Sequence, residues 1–136
     1  MNPWLTASLI AMANFGLWGL FTKLAVDHID AKSAFFYQTI GAAVVGLLGL
    51  YIIGLKPMVD TRGIIFGLLT GASYSLGCLF FFFAASRGNI MTVVTLTALY
   101  PIVTIILSYL FFHDVVSLRQ SAGIILAITA MYLFAS

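Results

Sequence analysis

Residues Ser33 to Leu55 read SAFFYQTIGAAVVGLLGLYIIGL, an interval free of charge and bounded by Lys32 and Lys56. It is 23 residues long, and at about 1.5 Å of rise per residue a helix of that length crosses the roughly 30 Å hydrocarbon core of a bilayer. Its run GLLGLYIIGL does not alternate polar with apolar residues, as a barrel strand must, so the segment spans as a helix. The pattern recurs along the chain. Charge-free intervals at 1–22, 63–86, 88–113 and 120–136 are 22, 24, 26 and 17 residues long, separated by short clusters that hold every Lys, Arg, Asp and Glu. The spacing predicts five transmembrane helices at about 3–26, 33–55, 63–86, 90–112 and 118–135.

Composition agrees. The 136 residues include six Lys or Arg and four Asp or Glu, so 7% are charged and 62% hydrophobic, with a mean hydropathy of +1.14. Soluble domains carry about 25% charged residues, and so few charges cannot coat a water-exposed surface. A soluble enzyme, a nucleic-acid binder and a disulfide scaffold are thereby excluded as classes. The one cysteine, Cys78, lies mid-span, which rules out an intramolecular disulfide and reads as a small packing residue. Met1, Asn2 and Pro3 supply no basic residue ahead of the first apolar run, so that span is expected to stay in the mature protein.

The connections are short, as in an up-and-down bundle of antiparallel neighbours, and no domain boundary is visible along 1–136. Orientation normally follows the excess of Lys and Arg on one side. Here Lys23, Lys32 and Arg87 fall on one side and Lys56, Arg62 and Arg119 on the other, which is no excess. A small sample explains that balance, and so does insertion in both orientations. Gly63, Gly67, Gly71 and Ser75 recur at four-residue steps on the third span and let a second backbone approach closely. Close packing inside one bundle is the expected use of this stripe, with a dimer seam as the alternative.

With no charge at any span centre, uncharged polar side chains mark the candidate site, because they are costly against lipid and useful in a cavity. Asn14, Trp18 and Thr22 share a face of the first span, and Tyr37 and Gln38 open the second. Thr97, Tyr100, Pro101, Thr104 and Ser108 lie within about a 100° arc of the fourth. Pro101 lacks the N–H that would serve the carbonyl of Thr97, so the helix should kink there and leave a free acceptor. Interrupted helices of this kind line substrate cavities in transporters, although neighbouring hydroxyls alone can also satisfy a kink. Tyr74, with Trp18, Tyr37 and Tyr100, offers walls for a cationic or aromatic solute. Trp4 and Tyr132 fit the interfacial belt. The Phe80–Phe83 run is too continuous to define one face. Asn14, Trp18, Gln38, Tyr74, Thr97, Tyr100 and Pro101 are thus the expected lining.

No buried carboxylate is present for proton coupling, and His113 and Asp114 fall at a helix end. His28, between Asp27 and Asp30, makes at best a weak metal site. Nucleotide-binding loops, nucleophile–base pairs and zinc motifs are missing too, so no catalytic residue, metal or cofactor is assigned.

Several stretches resemble the drug/metabolite transporter superfamily, and specifically one EamA-type domain. FFFAASRGN at 81–89, LTALYPIVT at 96–104, FFHDVVSLRQSAGIIL at 111–126 and ANFGLWGLFTKLA at 13–25 occur in that family's order and spacing. Many members have Gly-Glu where His113 and Asp114 stand, and an arginine at Gln38. Small multidrug transporters are similar in kind but place a glutamate near the position of Asn14, so their proton-driven exchange is not carried over. The resemblance implies a permease of the inner or plasma membrane that moves a small metabolite or drug-like solute by alternating access. It further implies half of a ten-helix fold whose two domains form an inverted repeat around a central cavity. One five-helix unit then needs a partner copy, which points to a homodimer, parallel or antiparallel, and an antiparallel one would account for the even charge. A non-transporting membrane scaffold or assembly subunit is the alternative.

Overall fold

A computed structural model describes residues 2–54, 57–112 and 117–135. Every regular element among them is helical: α1 (Pro3–His28), α2 (Ala31–Ile53), α3 (Thr61–Arg87), α4 (Ile90–Thr97), α5 (Tyr100–Phe112) and α6 (Leu118–Ala135). Four stretches are long and apolar enough to cross a membrane, namely α1, α2, α3 and Ile90–Phe112, the last being α4 and α5 together. The fifth expected span forms α6, whose apolar stretch Leu118–Ala130 is shorter.

Helix ends follow local chemistry more than the positions of charges. Pro3 starts α1, where a missing N–H costs nothing. At its other end the His28 ring donates from Nδ1 to the Leu24 carbonyl at 2.8 Å, and the Lys23 ammonium pairs with Asp27 at 2.6 Å. Two residues later Asp30 caps α2, its carboxylate accepting from the amides of Lys32 and Ser33 and from the Ser33 hydroxyl at 3.1, 3.3 and 2.6 Å. The cap explains why α2 starts before Lys32. Gly54 ends it at φ +86°, a conformation glycine adopts without strain. Asp60 receives the Gly63 amide at 2.7 Å as α3 begins, and Asn89 receives the Met91 amide at 2.8 Å as α4 begins.

The bonds from Ser33, its hydroxyl first and then its amide, hold the Asp30 carboxyl below the usual value of 3.8. A lowered folded-state value means that the cap stabilises fully above 3.8 and is lost as the pH falls through the folded value. Asp30→Ala is therefore expected to lower the melting temperature at neutral pH, and the gap to the unsubstituted protein should close below about pH 4. Melts followed by circular dichroism across that range check it.

The helices fall into two compact units, Met1–Arg87 and Gly88–Ser136. In the first, α3 packs against both α1 and α2, and these two pack on each other. The core is aromatic. Trp18 lies on Phe81 with ring centres 4.5 Å apart and edge-on to Phe82 at 6.5 Å, while Phe35 meets Phe82 at 6.3 Å. Ala31 and Ala34 fill in beside Phe82, which is 2% exposed. This cluster joins the end of α1, the start of α2 and the end of α3. The Phe80–Phe83 run divides accordingly: Phe81 and Phe82 are buried, Phe80 is 69% exposed, and Phe83 carries the Arg87 guanidinium 5.9 Å from its ring centre. Cys78 is buried, as a packing residue should be.

Within this unit the small-residue stripe of α3 is open at its glycines, since a Cβ built at Gly67 or Gly71 meets no atom of the unit within 4 Å. Cys78, Phe81, Phe82 and Ala85 form the packing face instead. In the second unit α4 packs against α6. His113 and Asp114 lie outside the described residues.

Candidate functional site

The fourth span does more than kink. Its helix stops at Thr97 and restarts at Tyr100, with Ala98 at φ −64°, ψ −3°, where an α-helix has ψ near about −42°. Around the break the bonding tightens. The Leu99 amide donates three residues back to Leu96 at 3.2 Å, and the Ile102 amide three back to Leu99 at 2.9 Å. Pro101 has no N–H to give the Thr97 carbonyl, and the two shortened bonds of the break go to Leu96 and Leu99 instead. The Thr97 hydroxyl donates to the carbonyls of Val93 and Val94 at 2.8 and 3.0 Å, and the Thr104 hydroxyl to Tyr100 at 3.3 Å. Neither satisfies the freed carbonyl. Thr97, Tyr100 and Pro101 are exposed on the chain and gathered at one interruption.

In the first unit the expected residues separate. Trp18 and Thr22 face the interior, and the Thr22 hydroxyl donates to the Trp18 carbonyl at 2.9 Å. Asn14, on the same face one turn earlier, is exposed, and its Nδ2 donates to the Ile10 carbonyl at 2.8 Å. Tyr74 is half exposed. Tyr37 is exposed with its ring edge-on to Phe36 at 5.6 Å, outside the aromatic core. Gln38 is half-buried. Among the described residues, two enclosed polar side-chain atoms have no hydrogen-bond partner, Trp18 Nε1 and Gln38 Oε1. Leaving such an atom unpaired costs about 1–3 kcal/mol, so the pair marks either strain or function.

Sequence reasoning did not single out Phe35, Phe81 and Phe82, which hold Trp18 in place; a four-residue run of one amino acid has no period from which a face can be read. Nor did it anticipate that span hydroxyls turn back on their own helices, as Thr39, Thr70, Thr95 and Thr129 do at 2.7–2.9 Å. Among the described residues no three His, Cys, Asp or Glu side chains cluster to hold a metal ion.

An interrupted apolar helix, spans without charge at their centres and unpartnered polar atoms inside them are features found in solute carriers. The EamA-like transporter family matches residues 2–136. The chain belongs to this family. As an EamA-like protein it is a multi-pass membrane protein that transports a small solute, and its family is not an enzymatic one. An uncharacterized protein of Methanocaldococcus jannaschii is 26% identical over 137 residues, covering 98% of this chain and 96% of the relative. No solved structure matches this EamA-like chain.

Proposed function

We propose that this EamA-like protein is a permease of the inner or plasma membrane that moves a small polar metabolite or drug-like solute by alternating access. The observation that carries the reading is the break between α4 and α5, where the bonding shortens to three-residue steps and Pro101 has no amide hydrogen for the Thr97 carbonyl. Irregular backbone at membrane depth persists where it is covered by protein or lines a polar cavity, and a hinge there lets one segment move against another. The proposed lining residues are Thr97, Tyr100 and Pro101 on the second unit and Asn14, Trp18, Gln38 and Tyr74 on the first. A thermal-shift screen of purified protein against amino acids, nucleobases, sugars and organic cations tests this, because a solute that binds the folded state raises its melting temperature. Failure of every class to stabilise the protein would count against the permease.

The working form is a homodimer of five-span units, each half of a ten-helix fold. Two observations support it: the archaeal relative is matched over 96% of its own length by one such unit, and the α3 stripe is unoccupied within its unit. Small residues at four-residue steps let helices associate in lipid, where burial of apolar surface gives little drive. Gly67→Ile with Gly71→Ile should therefore shift the purified protein from dimer to monomer, as read by light scattering in detergent, and leave its helical content unchanged. A dimer that persists in the double variant places the seam elsewhere.

A further inference from the structure

The two unpartnered atoms narrow the kind of solute. Trp18 Nε1 can only donate, and the Gln38 side chain carries an acceptor and a donor side by side, whichever way its amide is turned. Both belong to the first unit, on helices that pack together and are joined by two residues. Trp18 lies ten residues before the end of α1 and Gln38 seven after the start of α2, depths of about 15 and 11 Å along antiparallel helices, or within about one turn of each other. Gln38 also follows Ala34 by one helical turn, and Ala34 belongs to the cluster on which Trp18 packs. Nearby polar side chains are already committed: Thr22 and Thr39 bond to the carbonyls of Trp18 and Phe35, and Asn14 Nδ2 to that of Ile10. The nearest charged group along α1, Lys23, is neutralised by Asp27.

We infer that Trp18 and Gln38 form the recognition end of the solute site and that it takes a neutral solute bearing a carboxamide or lactam edge, an acceptor and a donor side by side. The inference rests on the permease reading above. An amide edge pairs with Gln38 through two hydrogen bonds, and a further acceptor on the solute takes the indole N–H. A carboxylate offers acceptors alone and an ammonium donors alone. Either would leave one half of the Gln38 edge unserved and would enter a site without a counter-charge, which is costly at membrane depth.

The full-length protein, purified in detergent, tests this with matched probes: nicotinamide against nicotinate, pyrazinamide against pyrazinoate, and protonated 3-(aminomethyl)pyridine as the cation. Trp4→Phe leaves Trp18 as the sole indole of the two in the chain, so its emission reports contact at Nε1. The carboxamides are expected to raise the melting temperature and shift Trp18 emission, and their acid and cation counterparts to do neither. Gln38→Leu should weaken carboxamide binding by about tenfold or more while its own melting temperature rises, since an unpaired buried group has been removed. A purely structural role for Gln38 would not give opposite changes in binding and stability. Stabilisation by the carboxylates or the cation in place of the carboxamides would overturn the inference and leave the permease standing. Carboxamide binding that survives Gln38→Leu would overturn it too. So would no response to any probe, in which case the wider solute screen judges the permease separately.

Discussion

Phe82→Ala is expected to destabilise the protein by roughly 3 kcal/mol, the largest stability effect of any single truncation in the first unit. Phe82 is 2% exposed and takes ring contacts from Trp18 on α1 and Phe35 on α2, so one side chain joins three helices. In lipid the transfer term is small, because the surrounding tails are as apolar as the core. The cost comes from lost dispersion contacts and from a cavity that three packed helices cannot close. Phe80, two residues earlier and 69% exposed, is the internal control. Phe80→Ala should cost less than about 1 kcal/mol, since it opens no cavity. Unfolding in a mixed detergent titration separates the two. Equal losses at both positions would mean that the aromatic cluster is not what holds α1, α2 and α3 together.

Pro101→Ala should have the largest effect on transport. The substitution returns an N–H that can bond the Thr97 carbonyl and removes the ring that crowds it, so α4 and α5 can fuse into one regular helix. Proline is about 3 kcal/mol worse than alanine inside a helix, and the folded protein should therefore be as stable as before or more so. Transport should fall by about tenfold or more, because the free acceptor is consumed and the hinge is lost together, each on the order of 1 kcal/mol. The signature is lower flux with an unchanged or higher melting temperature, measured in proteoliposomes with a solute that stabilises the protein. Unchanged flux in a well-folded Pro101→Ala protein would reduce the interruption to a structural feature.

Much of this fold is legible in the sequence, and the reasons differ by element. The charge-free intervals give α1, α2 and α3 within about two residues at each end, since a span must be apolar and helix ends lie at the interface. Their small errors trace to capping: Asp30 and Asp60 bind amides inside the expected loops and start α2 and α3 two residues early. Pro101 marks its break correctly but some two residues late, because the bonds it disrupts are those of the preceding turn. The α3 stripe shows the limit of pattern reading. Glycine spacing says that a backbone can approach and says nothing about which one, and within its unit α3 buries Cys78, Phe81, Phe82 and Ala85.

The candidate site is legible only in part, for a related reason. Residue type identifies Trp18 and Gln38 as polar groups within a span, yet their unpaired state depends on rotamers and on neighbours brought in by Phe35, Phe81 and Phe82. Threonines that look available in sequence are consumed by their own helices, Thr97 included. Tyr100 and Pro101 are the clearer markers, since a proline removes a bond in any rotamer.

The claim that a polar cavity runs along the α4–α5 break can be tested without knowing the solute. Cys78 is the single cysteine of the chain, so Cys78→Ala provides a background into which Thr97→Cys, Tyr100→Cys and, as an exposed apolar control, Phe80→Cys are placed one at a time. Membrane vesicles are then treated with a membrane-impermeant maleimide, which reacts with thiols that water reaches. Labelling at positions 97 and 100 with none at position 80 is the result expected of a water-filled path. Thiols at 97 and 100 as unreactive as the one at 80 would contradict it.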